Sequence, residues 1–162
     1  MRKQKGFSLI ELLIVVAIIL IIAAIAIPNL LRSRIAANEA SAVGSVRTIN
    51  TSEVTYASTY PDVGFTTLAN LGGSGGSASG AGLLDSVLAA GTKSGYVFTT
   101  PSASITPSSC GTGTPVPACT TYAVNGDPQN SQTGQRHFFS DQSGVIRYNT
   151  STVASAGDNP LQ

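Results

Sequence analysis

One acidic side chain stands where physics least favours it. Glu11 is the single charged residue in a 21-residue apolar run from Phe7 to Ile27. About 20 apolar residues match the thickness of a bilayer core, and a carboxylate in such a helix costs roughly 2.5–3.5 kcal/mol. An anchor has no need of that charge, so it calls for a partner and a purpose. Ahead of it lies a basic hexapeptide, Met1-Arg2-Lys3-Gln4-Lys5-Gly6. A buried carboxylate is tolerable beside a buried cation, and either alone is expensive.

Other reactive residues carry less. His137 is the only histidine, with Ser140 and Asp141 close behind it. Alternation along a strand sends His137 and Ser140 to opposite faces, and no G-x-S-x-G elbow is present, so neither a hydrolase nor any other enzyme is expected. Asp141 and its polar turn offer too few carboxylates for calcium. The glycines of 72–82 lack the Gly-Lys-Ser/Thr ending of a phosphate loop. No metal and no cofactor are expected. Cys110 and Cys119 bracket a loop holding Pro115 and Pro117. In an exported domain two cysteines this close are expected to pair, closing a loop worth about 2.5–3 kcal/mol.

Composition narrows the class. Charged residues make up 10% of the 162, against a usual quarter, and the formal net charge is +1. Without residues 1–6 the chain would keep six basic and eight acidic residues, a net −2. No basic patch remains for nucleic acid. The length suits one helix-anchored domain.

Lys5-Gly6-Phe7-Ser8-Leu9-Ile10-Glu11 resembles the prepilin processing motif shared by type IV pilins and type II secretion pseudopilins. The resemblance implies that residues 1–6 are a class III leader, cut after Gly6, and that Phe7 becomes an N-methylated terminus. It implies that Glu11 faces the terminal amine of a neighbouring subunit, with 7–27 first crossing the bilayer and then forming a filament core. Implied partners are copies of the same or other pilin subunits, a prepilin peptidase/methylase, and an inner-membrane assembly platform with its ATPase. The implied location is the bacterial inner membrane, head outside the cytoplasm, then an extracellular filament serving attachment, motility or DNA uptake. A pseudopilin of type II secretion is the alternative. Two further readings of the segment are a plain anchor and a signal peptide cut after Ala24-Ile25-Ala26, which would release an adhesin or binding module.

Around this segment the pattern predicts an α+β fold. A helix from about 7 to 60, roughly 80 Å at about 1.5 Å per residue, is expected to kink near Pro28, whose missing N–H leaves the Ala24 carbonyl unpaired. Two helices broken at Pro28 are the alternative. Many type IV pilins have a proline here and an earlier glycine; this chain has no glycine between Gly6 and Gly44. Over 28–60, Ile35, Ala42, Val46, Ile49, Tyr56 and Tyr60 form one apolar face, with Arg34, Asn38, Glu39, Ser45 and Asn50 placed elsewhere. Tyr60-Pro61-Asp62 ends the helix and opens a head over 61–162. There, a connector at 65–71 leads to a flexible Gly/Ser-rich loop at 72–82 without apolar residues to bury, then a short helix at 83–90. Strands are expected at 95–100, 120–124, 136–140 and 145–148, the last two joined by the turn Asp141-Gln142-Ser143-Gly144. These give an antiparallel sheet of about four strands packed on the amphipathic half of the helix, an order of elements that also resembles type IV pilins.

Overall fold

The protein is described by a computed structural model covering residues 7–100 and 119–161. It divides into two compact units, residues 1–34 and 35–162. Helix α1, Leu9–Thr59, belongs to both, and Pro28 lies inside it, which sets aside the alternative of two helices ending there. In the first unit the large apolar side chains of α1 are all exposed, from Leu9 to Leu31.

In the second unit α1 supplies one wall of the core. Ala42, Val46, Ile49 and Tyr56 are wholly buried, as the apolar face predicts, and Tyr60 packs against them. The opposing wall is a sheet of six antiparallel strands in sequence order: β1 Thr92–Lys93, β2 Tyr96–Thr99, β3 Ala123–Pro128, β4 His137–Asp141, β5 Arg147–Asn149 and β6 Asn159–Pro160. The fold is α+β with a long N-terminal helix, and the count of about four strands is corrected to six among the described residues. The additions, β1 and β6, are two residues each, too short to show alternation. Strand β3 also lies later than the predicted 120–124. Asn125-Gly126-Asp127-Pro128 has the residues of a turn, yet it pairs with Thr99, Phe98, Val97 and Tyr96. Gly126 is needed there: a Cβ would sit 3.0 Å from the Phe98 ring and 3.7 Å from Val46 of α1.

Tyr96, Phe98, Val124 and Phe138 point from the sheet into the helix-facing core. The other face is not bare. Ala123 and Phe139 cluster with Ala154, and Asn125 Nδ2 donates to the Ala154 carbonyl at 2.9 Å. The β4–β5 hairpin turns where expected, with Gly144 at φ 71° and its N–H bonded to the Asp141 carbonyl.

Between helix and sheet, α2 (Leu68–Leu71) and α3 (Ser86–Ala89) flank the Gly/Ser segment. The short helix starts at Ser86 rather than 83, because Asp85 caps it by accepting from the Val87 and Leu88 amides. Those amides and Lys93 hold the Asp85 carboxyl below its ordinary range. The Gly/Ser segment is fastened at both ends. Ala81, Gly82 and Leu83 donate to Asn70, Gly72 and Leu71, and the Tyr56 hydroxyl donates to the Ala78 carbonyl at 2.6 Å. Ala78 and Ala81 pack on the core, which corrects the reading of this loop as having nothing to bury.

Candidate functional site

The N-terminal segment builds its own geometry around Glu11. Phe7 is 81% exposed, Ser8 precedes the first helical residue, and the Leu12 N–H bonds to the Ser8 carbonyl at 3.2 Å. Glu11 Oε2 accepts from the Ser8 backbone N–H at 3.0 Å. That is the returning half of a capping box, in which an acid at the third helical position satisfies the amide of the cap residue. The S-x-x-E spacing before an apolar run is the signal for Ser8, a residue not singled out in the sequence. The same carboxylate lies at the positive end of the helix dipole. One face beyond it carries Leu9, Leu12, Leu13, Val16, Ala17 and Leu20, a purely apolar strip. Glu11 is therefore the polar group of an exposed oily rod, held by one amide among the described residues.

Gly6 and Cys110 lie outside the described residues, so neither the scissile bond nor the Cys110–Cys119 pair can be placed. Cys119 itself is fixed by backbone: its N–H donates to the Val63 carbonyl at 2.8 Å, and its carbonyl accepts from Phe65 at 2.9 Å. Pro28 sits in the exposed part of α1.

In the second unit the polar residues of α1 depart from expectation. Glu39 and Ser45 are only 6% and 5% exposed rather than turned away. Glu39 Oε1 accepts from the Gln135 and Arg136 amides at 2.9 and 3.2 Å, and Oε2 from Arg136 Nε at 2.7 Å. The Arg136 guanidinium also lies 5.6 Å from the Phe138 ring centre and 5.7 Å from that of Tyr148. Asn38 bonds the Thr133 carbonyl, and the Tyr96 hydroxyl bonds that of Arg136. Burial, then the nearby Glu39, raises the Tyr96 hydroxyl above its ordinary range. These bonds clamp α1 to the turn before β4, and they use charge for fastening rather than for chemistry.

The polar residues of β4 are kept apart. His137 Nδ1 meets Asp127 Oδ1 at 2.6 Å, while Ser140 Oγ accepts from Asn50 of α1 at 2.8 Å. The two side chains occupy opposite faces, as strand alternation predicts. Asp141 Oδ1 caps its turn through the Ser143 amide. Among the described residues no group of three or more His, Cys, Asp or Glu is placed to hold a metal.

With this geometry in hand, comparison with known proteins is decisive at the N-terminus. Residues 1–27 match the prokaryotic N-terminal methylation motif. Over 39 residues the chain is 67% identical to the type IV wide pilus major component PilA4 of Thermus thermophilus, covering 24% of this chain and 30% of that protein. The N-terminal segment is similar to that of type IV pilins. A fimbrial protein of Pseudomonas aeruginosa is 42% identical over 88 residues, covering 46% of this chain and 57% of its own length. The chain thus spans about a third to just over half of these relatives. No solved structure matches. That similarity agrees with the apolar N-terminal part of α1, which is long and apolar enough to cross a membrane.

Proposed function

We propose that this chain is a structural subunit of a type IV pilus filament, polymerised through its N-terminal helix. The observation that carries this reading is the pairing of an exposed apolar helical segment with one carboxylate, Glu11, that has a single donor among the described residues. The leader is removed after Gly6 by a prepilin peptidase, which also methylates Phe7. The subunit then waits in the inner membrane with its head outside the cytoplasm. An assembly platform and its ATPase lift it into a fibre. The apolar helix can leave lipid only by burying itself against the helices of its neighbours. In that setting the Phe7 amine of one copy supplies the second donor to Glu11 of the next, and the charge pair sets the axial register. Pro28 gives α1 a point at which to bend, and a Cys110–Cys119 bond closes a surface loop of the head. The fibre serves attachment, motility or DNA uptake.

Cells lacking this chain test the assignment. Loss of surface fibres with protein secretion intact supports a pilus subunit. Retained fibres with blocked secretion overturn it in favour of a type II secretion pseudopilin.

A further inference from the structure

Helix α1 holds two buried oxygens that receive no hydrogen bond among the described residues. Glu53 is 0% exposed; its Oε2 accepts from the Thr66 amide at 3.1 Å, and its Oε1 has no partner among the described residues. One turn earlier, Asn50 Oδ1 is buried and equally unpartnered. The orientation of that amide is fixed by its other end. Ser140 Oγ gives its hydrogen to the Val145 carbonyl at 3.2 Å, so it can only accept from Asn50 Nδ2 at 2.8 Å. Side chains three apart on a helix are neighbours, with Cβ atoms about 5–6 Å from each other. Two acceptors side by side cannot satisfy one another, but one hydrogen between them satisfies both.

We infer that Glu53 is a built-in protonation site whose neutral acid donates from Oε1 to Asn50 Oδ1. The bond joins three elements: α1, the connector at Thr66, and β4 through Ser140. The groups that face Glu53 agree with a neutral acid. They are Tyr56 of α1 and Tyr122 ahead of β3, with Tyr60 acting on Tyr56 and Asp141 of β4 acting on Tyr122. None is a cation that would favour the carboxylate. Burial pushes the Glu53 carboxyl from 4.5 up to about 7, against a smaller lowering by the Thr66 amide. In the unfolded chain the group ionises near 4.5, so between that pH and about 7 the folded chain holds the extra proton. The contribution to stability is complete below about pH 4.5 and is lost as pH rises through about 7.

The test uses the full chain in detergent micelles, labelled with carboxyl-13C glutamate. Only three signals arise, from Glu11, Glu39 and Glu53. Glu53→Gln assigns its signal by deletion. The expected result is one carboxyl still protonated at pH 6, with Asn50→Ala lowering its midpoint by about one pH unit. The native melting temperature should fall several degrees more between pH 5 and pH 8 than that of Glu53→Gln. Should either variant fail to fold, the titration of the native chain still decides. Three glutamates fully ionised by pH 5.5 would overturn the inference, as would an unchanged midpoint in folded Asn50→Ala.

Discussion

All three glutamates of this chain lie on α1, and the two halves of that helix treat them in opposite ways. In the apolar half, Glu11 has one amide donor and an exposed hydrocarbon surface around it. In the half that packs on the sheet, Glu39 receives two amides and a guanidinium from residues 96 and 97 positions away. Glu53 is enclosed by the connector. A charge satisfied inside its own chain fastens the fold, and a charge left open is available to another molecule. Under the proposed function, one half of the helix serves stability and the other assembly.

The contrast can be broken most sharply at its open end. Glu11→Ala should leave membrane insertion and leader removal intact while reducing filaments by at least tenfold, counted by electron microscopy of cells with normal subunit levels. The head should melt as before. Normal fibres from that variant would remove the pairing argument.

At the satisfied end, Glu39→Ala strands the Gln135 and Arg136 amides and the Arg136 guanidinium, all held by one buried carboxylate. The expected cost is about 3 kcal/mol, or roughly 10 °C in melting temperature for a unit of this size. Calorimetry of the full chain in detergent measures it, and a loss under 2 °C would mean that water replaces the carboxylate without penalty. A smaller effect of about 1–3 kcal/mol is expected for Gly134→Ala, because a Cβ there collides with the Tyr96 hydroxyl that bonds Arg136. Unchanged melting would show that this turn yields easily. The smallest effect belongs to Ser8→Ala. The Glu11 bond uses the Ser8 backbone, so the change should cost under about 1 kcal/mol and leave fibre numbers within twofold. A large drop in fibres would show that the hydroxyl itself takes part in assembly.

What the residues disclosed follows from distance along the chain. The motif around Glu11 is local, since the residues that compose it, from Gly6 to the end of the apolar run, lie within about 20 positions. The stripe Ala42, Val46, Ile49 and Tyr56 was legible because helical period is local. The roles of Glu39 and Glu53 were not, since their partners belong to segments that only folding brings near. Asn125-Gly126-Asp127-Pro128 misled for a different reason. Its residues suit a turn, and the close approach of Phe98 and Val46 that requires Gly126 is a tertiary fact. Likewise β1 and β6 exist only because longer strands beside them offer hydrogen bonds.

The most direct measurement is the N-terminal sequence of the subunit recovered from filaments. The account predicts methylated Phe7 as the first residue, followed by Ser8, Leu9, Ile10 and Glu11. A chain beginning at Ile27 would have lost the helix and the acid together, and would contradict it.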